Sequence, residues 1–174
     1  MDSLVPSVDP FGEKSSAMRM AERLASIRPV TLFLVHVGRY IDPVLMRWTN
    51  GRVNLTGTKA VVVLHHKGAK TGSPRQTPLA YFTVGREVIL VASKGGAPRN
   101  PAWLHNVRAN PEVELWVGRR GGNYRARIAD ADERADLWPK ANAAYSGFAG
   151  YQELARNREI PVVVCSPVLP ASDG

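Results

Sequence analysis

Two short stretches hold most of the side chains suited to binding an anion. One is Lys67-Gly68-Ala69-Lys70-Thr71-Gly72-Ser73-Pro74-Arg75. The other is Ala92-Ser93-Lys94-Gly95-Gly96-Ala97-Pro98-Arg99-Asn100-Pro101. Glycines let backbone N–H groups approach an anion closely, and Lys or Arg supplies the opposing charge. The second stretch leads into a helical pattern, whose N-terminus favours phosphate or carboxylate. Trp103 and Tyr81 offer flat apolar walls for a ring system. Together these features read as a pocket for an anionic ligand with an aromatic head. The alternative is two solvated hairpin turns carrying ordinary surface lysines.

Other chemistries find few residues. The four histidines are His36, His65, His66 and His105. Adjacent His65 and His66 point to opposite faces of a strand, so they do not chelate one metal together. The single Cys165 excludes an intrachain disulfide framework and a multi-cysteine metal site, and its apolar surroundings suit an inert core thiol. No metal site is expected. The patterns G-x-G-x-x-G, G-x-x-x-x-G-K-[ST] and G-x-S-x-G are all missing, which removes the usual dinucleotide, P-loop and hydrolase-elbow readings.

The chain carries 23 Lys+Arg against 15 Asp+Glu, a net +8 over 174 residues. That excess is local. Residues 60–127 hold 11 basic and 3 acidic side chains, whereas residues 128–174 hold 4 and 7. The middle of the chain alone therefore has the net charge of the whole molecule. One multiply charged ligand, or a nucleic-acid face, explains such concentration better than a generally cationic surface. The scarcity of carboxylates there also argues against a two-carboxylate glycosidase.

The elements that must position these residues are mostly short and β-rich. Residues 60–66, 76–84, 87–92, 112–117, 123–129 and 160–166 read as strands from their β-branched, apolar runs. Turns are expected at Gly85-Arg86 and at Arg120-Gly121-Gly122. Asn100-Pro101 reads as the start of a helix to Ala109, with Asn as N-cap. Asp130 with Glu133 forms a capping-box start for a helix to about Tyr145. A further helix is expected over 147–156. Hairpins, not helices, join most neighbouring strands, which favours an antiparallel barrel or sandwich with appended helices over a parallel sheet.

Ahead of this region, residues 1–12 contain Pro6, Pro10 and Gly12 and read as a loose arm. Helices are expected over 13–26 and 31–48, which divides the chain into an N-terminal part, 1–50, and a barrel domain, 51–174. The apolar run Val30 to Val37 leads into the second helix, which is flanked by Arg28, Arg39, Arg47 and Arg52. It reads as a cap on the core or as an interfacial helix at the inner membrane face. The run is well short of the ~18–20 residues needed to span a bilayer. With no signal-peptide pattern, a cytoplasmic protein is expected, peripheral contact with the membrane being the open alternative.

The runs KGAKTGSPRQTPLAYF, VASKGGAPRNPAWLHNVRANPEVEL, DERADLWPKANAAYSGFAGYQ and IPVVVC together resemble the deazaflavin-dependent nitroreductases of actinobacteria, also described as F420H2-dependent quinone reductases. The resemblance covers about residues 52–167. It implies an α+β split β-barrel that binds reduced coenzyme F420 and passes a hydride to a quinone, nitro compound or other conjugated acceptor. It implies that Gly68, Lys70, Thr71, Gly72 and Arg75 lie along the coenzyme's phosphate and glutamate tail. Thr77, Pro78 and Leu79 would line the ring or linker, and Ala92, Ser93 and Lys94 the deazaflavin head. Asn100, Pro101, Ala102, Trp103 and Asn106 would pack beside it. Tyr145, Phe148 and Tyr151 would cover the acceptor pocket, with Ala80 and Tyr81 near by. Ser93, Tyr145 and Tyr151 are the candidate catalytic groups. Phe148 stands where a tyrosine is expected, and Ala80 where some members carry an aromatic residue; both bear on acceptor preference.

The implied partner is a small quinone-like acceptor, with no nucleic acid, in a monomer or homodimer. Competing readings are an FMN-dependent split-barrel oxidoreductase, a non-catalytic F420 carrier and a nucleic-acid-binding β-barrel.

Overall fold

The computed structural model describes residues 3–12, 60–155 and 158–168. The two expected N-terminal helices, the membrane alternative and the boundary at residue 50 all lie outside the described residues.

Six strands form a closed barrel: β1 (Val61–Lys67), β2 (Pro74–Val84), β3 (Glu87–Val91), β4 (Glu112–Val117), β5 (Arg120–Ile128) and β6 (Val162–Pro167). Their order around the barrel is β1-β2-β3-β6-β5-β4, and every neighbouring pair is antiparallel. Helix α1 (Ala102–Ala109) precedes β4. Helices α2 (Ala131–Ala144) and α3 (Gly147–Ala155) lie between β5 and β6. This is the split-barrel architecture with appended helices.

Side-chain alternation builds two apolar layers from single strands. In β1, Val62, Leu64 and His66 turn inward while Val61, Val63 and His65 turn out. In β3 and β6, buried residues run without a break. Val88, Leu90, Val163 and Cys165 fill the barrel. Ile89, Val91, Val162 and Val164 meet Leu137, Ala141 and Phe148 of the covering helices. Strands buried on both faces lose polar alternation for this reason. Cys165 is fully buried, and burial pushes its thiol up to about 12, in keeping with an inert core position.

Three local expectations are corrected. The β4–β5 turn falls at Gly118-Arg119, with Gly118 at φ 61°. Arg120, Gly121 and Gly122 are instead paired in β5. A Cβ on Gly121 would lie 2.1 Å from Leu115 O, so this glycine serves close strand approach and not a turn. Helix α1 starts after Pro101, with no side-chain cap, and Asn100 is engaged elsewhere. The arm is also not loose. Val5 is fully buried, Ser3 Oγ lies 3.1 Å from Tyr124 Oη, and Val8 N–H donates to Thr83 Oγ1 at 2.8 Å. Thr83 N–H returns a bond to Val8 O at 2.9 Å. By contrast half of the capping box forms: Asp130 Oδ1 accepts the Glu133 N–H at 2.9 Å, while the Glu133 carboxylate pairs with Arg127 and not with the Asp130 N–H.

Strand direction then decides where the loops gather. β1, β3 and β5 all run the same way round the barrel. The segments that leave them therefore emerge at one rim. That rim also receives the chain returning from α3 into β6.

Candidate functional site

The loop after β1 closes on itself. Gly68 N–H donates to Ser73 O at 2.9 Å, and Gly72 N–H to Gly68 O at 2.8 Å. Thr71 Oγ1 accepts from Ser73 N–H at 3.3 Å. Gly72 takes φ 65°, and a Cβ on Gly68 would meet Thr71 Oγ1 at 2.8 Å. The closed turn leaves Lys70, Thr71 and, at the start of β2, Arg75 exposed.

Behind the loop lies a buried polar chain. Asn106 Oδ1 accepts the Ala69 N–H at 2.9 Å, which fixes the amide's orientation. Its Nδ2 therefore faces His66 Nδ1 at 3.2 Å and donates to it. His66 Nε2 then carries the proton toward Thr77 Oγ1 at 3.0 Å. His66 is thus a neutral imidazole. Burial lowers its pKa, and the Arg75 charge lowers it further. Both ends of the Asn106 amide are taken up by the protein, so this residue holds the loop from behind.

The loop after β3 is a single 3-10 turn, Lys94–Gly96. Ala92 is buried and its N–H donates to Pro161 O at 2.9 Å. Lys94 adopts φ 48°, Gly95 φ 61° and Gly96 φ 74°. A Cβ on Gly96 would sit 2.6 Å from Leu154 Cβ and 2.8 Å from Tyr151 O. The turn is therefore seated directly on α3, with Ser93 half-buried and Lys94 exposed.

The end of α2 and the start of α3 bring three aromatic rings together. Tyr145 and Phe148 meet edge-on with centroids 5.1 Å apart, and Phe148 and Tyr151 at 6.4 Å. The hydroxyls of Tyr145 and Tyr151 lie 3.3 Å apart. Phe148 is buried in the outer apolar layer, beneath two half-exposed tyrosines. Gly147 makes the fold-over possible, because a Cβ there would come within 2.5 Å of the Tyr145 ring.

The structure thus brings the turn holding Ser93 and Lys94 beside the helix bearing Tyr151, on the rim that also carries Lys70 and Thr71. It turns Trp103 and Tyr81 the other way. They are 6% and 5% exposed and belong to the barrel core, not to an open pocket wall. Tyr81 Oη donates to Pro6 O at 3.0 Å, and burial pushes this phenol up to about 12. Pro78 and Ala102 are exposed; Leu79 and Ala80 are half-buried. Among the described residues no cluster of acidic, His or Cys side chains could hold a metal. His66, Gly147 and Arg158 join this rim without having stood out in the sequence. Gly147 carries a weak signal, as a small residue next to Phe148; the other two carry none.

A family model described as F420H(2)-dependent quinone reductase matches residues 41–167. The F420H(2)-dependent quinone reductase of Mycobacterium tuberculosis strain H37Rv is 42% identical over 125 residues, which is 69% of this chain and 83% of that protein. The solved structure of an F420-H2 dependent reductase superposes with a TM-score of 0.57 at 36% identity, over 61% of this chain and 93% of the other. A second solved chain, described as a domain-swapped dimer, gives a TM-score of 0.57 at 33% identity, over 75% and 96%.

Proposed function

This chain belongs to the F420H2-dependent quinone reductase family, and on that premise we propose that the rim formed by the loops after β1 and β3 holds the coenzyme, with the tyrosines of α2 and α3 over the acceptor. The protein is an F420H2-dependent reductase, and its acceptor is a quinone or a similarly conjugated molecule. When bound, the reduced coenzyme supplies the hydride; binding, orientation and electrostatics fall to the protein.

The observation that carries this placement is charge. Lys70, Arg75, Lys94 and Arg99 stand in the two loops or at their edges, and neither loop contains an Asp or Glu. Among the described residues none of the four is ion-paired. A ligand with a phosphate and a carboxylate tail matches that donor set, and FMN, with one phosphate, uses less of it. Lys94 adds a second support. A lysine in the left-handed region costs of order 1 kcal/mol, which glycine would avoid, so its side chain is worth keeping there.

On the acceptor side, Tyr145 and Tyr151 present adjacent hydroxyls. An O–H aimed at an acceptor carbonyl stabilises the negative charge that develops on its oxygen and can pass it a proton. Ser93 approaches from the coenzyme side, and Phe148 fixes the tyrosines from below. The exposed Pro78 and the half-buried Leu79 and Ala80 border the same rim along β2.

The deciding experiment is spectrophotometric: purified protein, F420H2 and menadione. Acceptor-dependent loss of the reduced coenzyme is expected. Tight binding with no turnover across quinones and enones would make the protein a carrier. The reaction is placed in the cytoplasm, with residues 13–50 as the segment meeting the membrane face, a point that flotation with anionic liposomes tests. A homodimer is the assembly favoured by the domain-swapped relative, and sedimentation checks it.

A further inference from the structure

Arg158 lies just before β6 and belongs to neither loop, yet its guanidinium grips one of them. Nε donates to Ala97 O at 3.0 Å. Nη1 donates to Asn100 Oδ1 at 2.8 Å and to Ala92 O at 3.3 Å. Nη2 donates to Ser93 O at 2.9 Å. All four acceptors lie within residues 92–100, and none is a carboxylate. A part-buried cation satisfied only by neutral oxygens is a costly choice unless its geometry matters, because desolvating a charge is expensive. A counter-ion is not lacking near by: the adjoining Glu159 pairs with Arg134 at 2.9 Å instead. The fork itself is anchored. Gln152 Nε2 donates to Arg158 O at 2.8 Å, and Gln152 Oε1 accepts the Ile160 N–H at 2.9 Å.

We infer that Arg158 is a positioning residue for coenzyme binding: its planar fork draws the carbonyls of Ala92, Ser93 and Ala97 inward and so sets the turn that presents Ser93 and Lys94 at the rim. This rests on the reading that this turn meets F420. The effect belongs to the fork and not to the charge alone. A lysine has no planar array of donors and cannot reach four divergent acceptors.

The test pairs Arg158→Lys and Arg158→Gln with Lys94→Ala, in two measurements. Amide hydrogen exchange on the ligand-free proteins reports loop closure through the Gly96 N–H to Ser93 O and Ala97 N–H to Lys94 O bonds. Fluorescence titration with F420 reports affinity. Both Arg158 variants are expected to exchange faster over 93–97, with β1 to β5 unchanged, and to bind F420 about tenfold or more weakly. Unchanged exchange overturns the inference. So does a lysine variant that binds like the wild type while the glutamine variant fails, since charge alone would then suffice. Weak binding by Lys94→Ala with normal binding by both Arg158 variants overturns it too, and leaves the placement of the coenzyme standing. Normal binding by all three means that the loop does not meet F420, and the inference falls with that placement. Should the Arg158 variants not fold, Asn100→Ala removes one acceptor and should shift both readouts in the same direction to a lesser extent; no shift overturns the inference.

Discussion

Asn106 Oδ1 and the Ala69 N–H meet at 2.9 Å across 37 residues of chain, so helix α1 holds the Gly-rich loop after β1 from inside the barrel. The same side chain donates to His66 Nδ1 at 3.2 Å. One buried amide therefore links the loop to the strand that delivers it. In the structure the Asn106 amide is the loop's internal support.

Asn106→Ala leaves the buried His66 Nδ1 without its partner and releases the exposed Ala69 N–H to solvent. An unsatisfied buried polar group costs roughly 1–3 kcal/mol. Urea denaturation should show a stability loss of that order, and F420 affinity should fall with it. A midpoint equal to the wild type's would show that water or a rearranged loop replaces both bonds.

His66 gives the molecule an acid-sensitive point. Its folded pKa lies below the ordinary 6.5, through burial first and Arg75 second. Below pH 6.5 the unfolded chain therefore binds the proton more readily than the folded one. Stability is fully present above 6.5 and is lost as pH falls from there toward the lowered value. A proton on Nδ1 also faces the Asn106 amide's own donors. Tm measured across this window should drop for the wild type and flatten for His66→Gln; parallel curves would remove His66 from the account.

The barrel was legible because short β-branched runs and hairpins are local signals. The misreadings share one cause, which is a local rule overridden by a distant atom. Gly121-Gly122 looks like a turn until Leu115 O is seen 2.1 Å from where a Cβ would stand. Asn100 looks like a helix cap until Arg158 claims its oxygen at 2.8 Å. Residues 3–12 look loose by composition, but Tyr124 and Thr83 hold them. The charged rim was readable because its lysines and arginines are concentrated in sequence as well as in space. Arg158 was not, because three of its four acceptors are backbone carbonyls, which leave no trace in residue type.

Gly147→Ala tests the acceptor side alone. The added methyl would fall 2.5 Å from Tyr145 Cε1 and must displace that ring. KM for menadione should rise several-fold while the F420 dissociation constant stays near the wild-type value. A rise in the coenzyme constant alone would place Tyr145 on the wrong partner.

Lys70 projects from an exposed turn, so its contribution to binding is electrostatic and screened by salt. Lys70→Ala should weaken F420 with a long glutamate tail more than a tail-free form, and the difference should shrink at high salt. Equal losses for both forms would move Lys70 away from the tail.

We propose that the turn after β3 holds the coenzyme, and isothermal titration of Lys94→Ala with F420 tests that placement most directly. Lys94 is fixed in its left-handed conformation on a turn seated against α3. A charge-assisted contact from such a position is worth roughly ten- to a hundredfold in affinity. A loss of that size is expected, including for coenzyme without glutamates, in a variant that keeps the wild-type circular dichroism and Tm. A folded Lys94→Ala protein that binds F420 as tightly as the wild type would contradict it.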